Sequence, residues 1–406
     1  MGREKPAVNT TTSRRLVGLF MVTYLVSYVT RIDFGAIVLE MVQDTGFTKA
    51  QLSMALTGSF FTYGIGQLIS GFCGDRVQPK RLILIGLLSS SAMNLLIPLC
   101  TAVEWMVVVW CINGFAQAFM WPPLVRLMVN LLTEQEYTRA TVVVSWGSSL
   151  GTILVYLLSP LLILLAGWRS VFVGAALCGL VMALFWWRLC PEIAAATPVS
   201  PTVRQKSAPL FSPLLIGIML AIVLQGSLRD GVTTWMPTYI SETYRLGSSI
   251  SILTGVLLPL FSIVCFRISS QLYRRIGNNP VLCGGFLFGA GALTALILML
   301  FTGHSAVGSV LCAALLTGCM HGVNLMLICM VPAFYRERGR VSTLSGLLNS
   351  CTYVGSALST YGIARVSEAV GWTATVGLWC GIAMVGTVVC LLCLPSWKRQ
   401  FLKKHE

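Results

Sequence analysis

The chain has 406 residues, of which 56% are hydrophobic and only 10% are charged. Because a soluble domain carries about a quarter charged residues, this composition excludes an ordinary soluble protein and predicts a polytopic membrane protein. The formal net charge of +14 does not indicate a nucleic-acid-binding protein, because the basic residues cluster in alternate connections between apolar segments, as the positive-inside rule describes.

The predicted elements are twelve apolar segments, each of the roughly 20 residues that cross a bilayer as a helix. We number them segment 1 to segment 12. They begin near Leu16, Gln51, Leu82, Trp105, Ala140, Trp168, Leu210, Ser249, Pro280, Ala306, Val341 and Trp372. The sequence lacks the short alternating strands of a membrane barrel, so we expect an all-α membrane protein.

Segment 1 carries charged and aromatic side chains inside its apolar stretch. Arg31 lies about 24 Å from the start of the segment at a rise of about 1.5 Å per residue, and Asp33 follows it. Charged side chains inside a membrane face the protein interior or a watery cavity, so they are functional candidates. Tyr24 and Tyr28 precede Arg31 by about two turns and one turn, so we expect the three side chains to share one face.

Segment 2 places Tyr63 and Gln67 one turn apart, and the connection "GFCGDRVQPKRL" follows it from Gly71 to Leu82. This connection resembles the loop motif of the major facilitator transporters, in which small residues allow close helix approach. We therefore expect Asp75 and Arg76 to form a gating latch that holds neighbouring helix ends in one conformation.

The middle of the chain predicts a boundary between two halves. Residues 190–209 are rich in proline and small residues and indicate a cytoplasmic linker, with one domain over residues 1–189 and the other over residues 210–406. Landmarks recur across the linker, since Arg31 and Arg229 differ by 198 positions. Two parallel repeats of six helices are the architecture of major facilitator transporters. We therefore expect twelve transmembrane helices in two pseudo-symmetric six-helix bundles.

Segments 7, 10 and 11, like segment 1, carry charged or polar side chains inside their apolar stretches. Segment 7 places Arg229 beside Asp230, segment 10 carries His321 and Asn324, and segment 11 carries Tyr353. For each single Asn, Gln or Tyr, a packing hydrogen bond between helices is as compatible with the pattern as contact with a substrate.

The two arginines on symmetry-related segments predict a binding site for an oxyanion, and phosphate is the ligand that we expect. Arginine stays charged and binds phosphate bidentately, whereas a buried lysine could lose its proton. The alternative is that Arg31 pairs with Asp33, and Arg229 with Asp230, as a scaffold only. Residues one or two apart do not face each other on a helix. We therefore expect pairing within one helix to be disfavoured, while pairing between helices stays open.

Four stretches carry a resemblance to a known family, namely "YLVSYVTRIDF", "FFTYGIGQ", "GFAQAFMWPPLVRLMV" and "GSLRDGVTTWMPTYI". In order and spacing they are similar to the bacterial organophosphate:inorganic phosphate antiporters, which include the glycerol-3-phosphate and hexose-6-phosphate exchangers. The resemblance implies that Arg31 and Arg229 bind the phosphate group. It implies cavity-lining positions for Tyr24, Tyr28, Tyr63, His321 and Tyr353, to which we add Gln67 and Asn324 as candidate substrate contacts.

Three departures from the family pattern bear on the substrate. Gln67 stands where the glycerol-phosphate members carry a lysine, and segment 5 lacks their histidine. Asp33 and Asp230 are acids beside the two arginines, where we expect neutral or basic residues. If both acids are ionised, charges cancel near the cavity and its preference for a dianion weakens. We therefore expect a phosphate ester of lower or compensated charge, or an organic monoanion.

The function that the sequence favours is secondary transport of a small organic anion, a phosphate ester exchanged for inorganic phosphate by alternating access. One alternative is a proton-coupled organic anion carrier in which Asp33 or Asp230 titrates during the cycle. A second alternative is a transporter-shaped sensor of phosphate esters, because such receptors occur in the same family.

The sequence gives no indication of enzymatic chemistry. The 14 cysteines are scattered through apolar segments without the spacing of a disulfide framework or a zinc site. His321 is the one histidine at mid-membrane, and no nucleophile and base are paired. We expect no cofactor, no metal and no nucleic-acid partner, and a monomer in a bacterial-type plasma membrane with both termini cytoplasmic.

Overall fold

The computed structural model describes residues 10–47, 49–192, 212–245, 256–336 and 341–402, and within these ranges every regular element is a helix. We number the helices α1 to α14 in chain order. The predicted linker, from residue 193 onward, lies outside the described residues.

Eight helices cover the first six apolar segments. They are α1 (Thr10–Ala36), α2 (Val38–Thr45), α3 (Lys49–Gly74), α4 (Pro79–Leu96), α5 (Val103–Gln117), α6 (Trp121–Leu131), α7 (Glu134–Ala166) and α8 (Arg169–Leu189). Segment 4 is divided into α5 and α6 by a turn that ends at Met120, because Pro122 and Pro123 each lack the N–H that a continuous helix needs.

Six helices cover the second half. They are α9 (Pro213–Tyr244), α10 (Leu257–Arg275), α11 (Pro280–Phe301), α12 (Ala306–Asn324), α13 (Val331–Phe334) and α14 (Val341–Trp397). A π-helical stretch, Leu325–Met330, joins α12 to α13. Gly371 interrupts α14 at φ 78° and ψ 177°, so α14 consists of two helices that correspond to segments 11 and 12.

Local sequence explains several of the helix ends. The Thr133 side chain accepts a hydrogen bond from the Glu136 backbone, and the Glu136 carboxylate accepts one from the Thr133 backbone, which is a capping box at the start of α7. Ser212, Asn279 and Ser305 cap α9, α11 and α12 in the simpler way.

The chain divides into two compact units. The first comprises the described residues of Met1–Val203 together with Tyr335–Leu347, and the second comprises those of Arg204–Phe334 and Leu348–Glu406. The first two turns of α14 therefore belong to the first unit, although the rest of that helix belongs to the second.

Glycines set the close approach of α1 to α7 in the first unit. A Cβ atom on Gly147 would lie 2.6 Å from the carbonyl oxygen of Met21, and one on Gly151 would lie 2.6 Å from that of Leu25. In the second unit, a Cβ atom on Gly355 of α14 would lie still closer to the carbonyl oxygen of Val223 on α9. Small residues at such crossings let helix backbones touch, which fixes where α1 and α9 present their polar side chains.

The outer surface of the helices is apolar. Leu164, Leu165 and Phe61 are 83%, 72% and 71% exposed. Within the described part of the chain, nine helices are long and apolar enough to cross a membrane. Exposed side chains of this kind suit contact with lipid rather than water.

Candidate functional site

The Arg31 guanidinium on α1 lies against two tyrosine rings. Its Cζ atom is 4.2 Å from the centre of the Tyr28 ring and 4.9 Å from that of Tyr63 on α3. Tyr24 packs edge to face on Tyr28 at 5.2 Å and contacts Trp121 of α6 at 4.9 Å. The structure thus brings together four of the predicted site residues. Cation–π contacts hold the guanidinium without neutralising it.

Asp33 lies on a different face of α1 from Arg31. Two residues at about 100° each place the side chains roughly 200° apart around the helix. Asp33 is fully buried, and its Oδ1 atom accepts a hydrogen bond from the backbone N–H of Phe34 at 2.9 Å. Its Oδ2 atom has no hydrogen-bond partner among the described residues. No described contact places Asp33 on the Arg31 guanidinium.

Arg229 on α9 makes a bidentate ion pair with Asp230, the next residue. The Nε atom of Arg229 lies 2.6 Å from Oδ1 of Asp230, and the Nη2 atom of Arg229 lies 3.0 Å from Oδ2 of Asp230. The Ser356 hydroxyl of α14 donates to the same carboxylate. The expectation that pairing within one helix is disfavoured is therefore wrong here. The spacing rule describes where Cβ atoms lie, but the long arginine stem carries the guanidinium back along the helix surface.

His321 on α12 lies within electrostatic range of Arg229 and Asp230. Its Nδ1 atom is 2.9 Å from the carbonyl oxygen of Thr317. Because a carbonyl only accepts, Nδ1 carries the proton, and Nε2 is the ring atom left for another partner. The ring packs edge to face on Phe266 at 5.7 Å, so its orientation is fixed.

Asn324 and Tyr353 are half-buried in the second unit. Asn324 is the last residue of α12, directly before the π-helical stretch Leu325–Met330. π-helical turns are frequent at functional sites, because they re-aim the side chains beside them.

Gln67 on α3 is fully buried and donates to the carbonyl of Ala118 at 3.3 Å. This bond ties α3 to the turn between α5 and α6. Its assignment as a substrate contact stays a prediction.

A buried polar network lies at the centre of the first unit. The Thr30 carbonyl accepts hydrogen bonds from the side-chain amides of Asn94 and Asn113, both at 3.0 Å. The Gln117 amide donates to the Thr30 hydroxyl at 2.8 Å and to Ser90 at 2.6 Å. All five residues are at most 2% exposed. The polar side chains of Asn113 and Gln117, both in segment 4, therefore serve helix packing in this structure.

Asp75 binds the start of α14. Its two carboxylate oxygens accept hydrogen bonds from the backbone N–H groups of Ser342, at 2.9 Å, and Thr343, at 2.7 Å. These are among the N–H groups that a helix leaves without an internal partner. Arg76 is exposed, stacks on Phe72 at 3.3 Å and donates to the Phe72 carbonyl. Asp75, but not Arg76, thus contacts the neighbouring helix end here.

Arg126 on α6 is a residue beside Asp75 whose contacts the sequence analysis did not predict. It is 4% exposed and donates to the carbonyls of Gly74 and Val77, on either side of Asp75. Its signal in the sequence was an arginine within segment 4, after the "WPP" of Trp121 to Pro123. It holds the loop that presents Asp75 to α14.

Each of the two units contains a hydrogen bond from a tryptophan to an acid. In the first unit the indole N–H of Trp168 donates to Asp44 at 2.7 Å. In the second, the indole N–H of Trp372 donates to Glu242 at 2.8 Å. The acids differ by 198 positions, as Arg31 and Arg229 do, and each tryptophan follows a glycine of positive φ. This repetition supports the predicted parallel repeats.

Comparisons with known proteins identify the relatives of this chain. A "Probable hexose phosphate transport protein" of Chlamydia pneumoniae is 24% identical over 94% of this chain and 90% of the relative. A "Membrane sensor protein UhpC" of Salmonella typhimurium is 25% identical over 94% and 91%. The resemblance to organophosphate transporters is thereby confirmed.

A solved structure and a family profile identify the fold. The structure of the human organic anion transporter MFSD10 superposes with a TM-score of 0.75 at 17% identity, covering 95% of this chain and 100% of that one. The Major Facilitator Superfamily profile matches residues 18–360. The predicted fold class, an all-α membrane protein with the major facilitator fold, is confirmed. The chain belongs to the Major Facilitator Superfamily.

Proposed function

We propose that this protein transports a small phosphate ester across the membrane by alternating access, in exchange for inorganic phosphate. The observation that carries the proposal is the Arg31 guanidinium held between the rings of Tyr28 and Tyr63. A guanidinium that packs on aromatic faces keeps its positive charge, which attracts an incoming anion. The relatives named for hexose phosphate transport support a phosphate ester as that anion.

The proposal assigns phosphate binding to Arg31 in the first unit and to Arg229 in the second. The two are not equivalent, because Asp230 already binds the Arg229 guanidinium in a bidentate way. An anion that binds Arg229 has to compete with this carboxylate or share the guanidinium with it. The pair lowers the net positive charge that the substrate meets, which favours a substrate of lower or compensated charge.

The exchange mode follows from the same charges. Without an anion, Arg31 is a charged group whose burial during the conformational change is costly. A bound phosphate group offsets this cost and lowers the barrier to switching. Loaded protein therefore switches faster than empty protein, which is the physical basis of exchange.

Lysine substitution tests the two arginines. Proteoliposomes loaded with phosphate and given labelled phosphate should show exchange with the wild-type protein. Arg31→Lys and Arg229→Lys should each reduce it to background, because an ammonium group cannot make the bidentate bond. Arg274→Lys, at an exposed position in the last turn of α10, is the matched control and should retain exchange. If both lysine variants exchanged phosphate at the wild-type rate, the assignment of phosphate binding to the two arginines would be wrong.

A transporter-like sensor is the second candidate, favoured by the similarity to a sensor protein over 94% of the chain. The two functions differ in one measurable property. A sensor binds glucose 6-phosphate, seen as thermal stabilisation of the purified protein, while proteoliposomes show no uptake or exchange. Transport with saturation would support the first candidate.

The remaining parts of the proposal concern the setting of the protein. The match to the superfamily model and to relatives named as transport proteins supports a transporter without enzymatic activity, and we infer that it acts as a monomer. The protein spans a bacterial-type plasma membrane many times. We place both termini on the cytoplasmic side, because the basic connections mark that side.

A further inference from the structure

The Asp33 carboxyl is a buried acid that the proposed phosphate site does not use. It is fully buried, its Oδ1 atom accepts a hydrogen bond from the backbone N–H of the next residue, and its Oδ2 atom has no hydrogen-bond partner among the described residues. Asp230 provides the contrast within the same protein. That carboxylate receives both donors of Arg229 and the Ser356 hydroxyl.

The surroundings of Asp33 supply no compensating charge in the described part of the chain. Helix α1 packs against α7 and α8, and less extensively against α4 and α5. Charged residues on those helices lie near their ends: Lys80 and Arg81 on α4, Glu104 on α5, Glu134, Glu136 and Arg139 on α7, and Arg169 and Arg188 on α8. Their other titratable side chains are Cys111, Tyr137, Tyr156 and Cys178.

The charged residues on α1 itself lie away from Asp33. Arg14 and Arg15 are exposed near the opposite end of the helix. Arg31 lies roughly 200° around the helix, against the rings of Tyr28 and Tyr63. On α3, Lys49 is the first residue of the helix. No described cation is therefore paired with Asp33.

An ionised carboxylate is very costly in such a place. Removing a charge from water without a partner of opposite charge carries a penalty that proteins avoid by neutralising the group. A carboxyl group neutralises itself by binding a proton. The neutral form needs no cation and loses little by its burial.

We propose that Asp33 is a proton-binding site of the transport cycle, which holds a proton while it is buried as in this structure and exchanges it with solvent in another conformation. The step is a protonation of the carboxylate by hydronium, with water as the other product, and its reversal. The binding of a proton by Asp33 does not depend on the proposed transport function. Only the statement that this binding is part of a transport cycle rests on it. It makes uptake respond to a pH difference across the membrane, because the proton is gained and lost at Asp33.

Infrared spectroscopy tests the protonation directly and does not depend on transport. A protonated carboxyl group absorbs at a higher frequency than a carboxylate. The wild-type protein in a maltoside detergent, which has no carbonyl group of its own, should show this band at neutral pH, and Asp33→Asn should lack it. Asp230→Asn is the matched control and should keep the band, because its carboxylate is ionised by Arg229. A wild-type protein without the band, or an Asp33→Asn protein that retains it, would overturn the proposal.

A second variant guards against a folding defect. Asp33→Glu keeps a carboxyl group at the position and should keep a carbonyl band at a shifted frequency. If Asp33→Asn does not fold, a band that shifts in Asp33→Glu supports the assignment. A band that stays at the wild-type frequency in Asp33→Glu contradicts it.

The pH response of transport tests the role in the cycle. Labelled phosphate exchange in proteoliposomes is compared at equal pH and with an imposed pH difference. The speciation of phosphate is common to both proteins, so the readout is the difference between wild type and Asp33→Asn. We expect the variant to lose the part of the response that the wild type shows beyond speciation. Equal responses would refute the role in the cycle. If neither protein exchanges phosphate, the proposed function fails, and the infrared result still decides whether Asp33 binds a proton.

Discussion

At the scale of single residues, the two arginines of the predicted anion site differ in how they are held. Arg31 lies between aromatic rings that leave its charge intact. Arg229 is bound by the adjacent carboxylate of Asp230. The arginines at equivalent positions of the two repeats therefore differ in their contacts, which are two aromatic rings for Arg31 and a carboxylate for Arg229.

Asp44 gives a prediction of pH dependence at this scale. The indole N–H of Trp168, and next the guanidinium of Arg169, lower the pKa of the Asp44 carboxyl. A lowered pKa in the folded state stabilises the protein above the unfolded pKa of about 3.9, and that contribution is lost as the pH falls through the lowered value.

Thermal unfolding of Asp44→Asn across pH 7 to about pH 3 measures this contribution. We expect the wild-type protein to have the higher melting temperature at pH 7 and the difference to shrink in acid. Glu40→Gln, an exposed acid on the same helix, is the control and should show no such convergence. A difference that is constant across the pH range would contradict the prediction.

At the scale of elements, the start of α14 shows how one helix end is held by another part of the chain. Asp75 follows α3 and caps N–H groups of α14, and Arg126 of α6 binds the carbonyls of Gly74 and Val77 on either side of it. Three helices are therefore connected through the short loop that carries Asp75. Small residues allow this approach, since Gly71 and Gly346 lie backbone to backbone.

Loss of the Asp75 carboxylate should open the first turn of α14. Removal of a helix cap costs about 0.5 to 2 kcal/mol, which is roughly 2- to 30-fold in an opening equilibrium. Hydrogen–deuterium exchange should accelerate by that factor at the amides of Ser342 and Thr343 in Asp75→Ala. Arg76→Ala should leave exchange at these amides unchanged, because Arg76 contacts Phe72 instead. If Asp75→Ala and Arg76→Ala accelerated amide exchange equally, Asp75 would not be a specific cap of α14.

At the scale of the whole molecule, the two halves repeat one design with local differences. The pairs Asp44 with Trp168 and Glu242 with Trp372 occur at matching positions. The second half lacks an acid at the position matching the Asp75 loop, where "FRISSQLYRR" keeps only basic residues. The repeats therefore share the contact between an acid and a tryptophan, whereas the contact of Asp75 with the start of α14 lies in the first unit.

The distribution of charge over the molecule predicts its orientation. Basic residues cluster in the connections that we assign to the cytoplasm. A green fluorescent protein fused after Glu406 should fluoresce in bacterial cells, and alkaline phosphatase fused there should be inactive. Gly303 lies in a connection that we assign to the other side of the membrane. After truncation and fusion there, green fluorescent protein should be dark and alkaline phosphatase should be active. The same result at both positions would refute the orientation.

The sequence by itself determined the twelve membrane segments, the repeat and the candidate arginines. Apolar length decides which segments cross a bilayer, and a charge inside such a segment is rare enough to single out Arg31 and Arg229. Helical periodicity was sufficient to place Tyr24, Tyr28 and Arg31 together, because residues three or four apart share a face.

The tertiary structure decided what each polar side chain contacts. Periodicity gives the direction of a Cβ atom but not the reach of a long side chain, so the pairing of Arg229 with Asp230 could not be predicted. Contacts between distant parts of the chain carry no local signal, and this concealed the roles of Arg126 and of Asp75 at Ser342. The burial of Asp33 away from the cations of the described helices is likewise a property of packing, because helices distant in the sequence surround it.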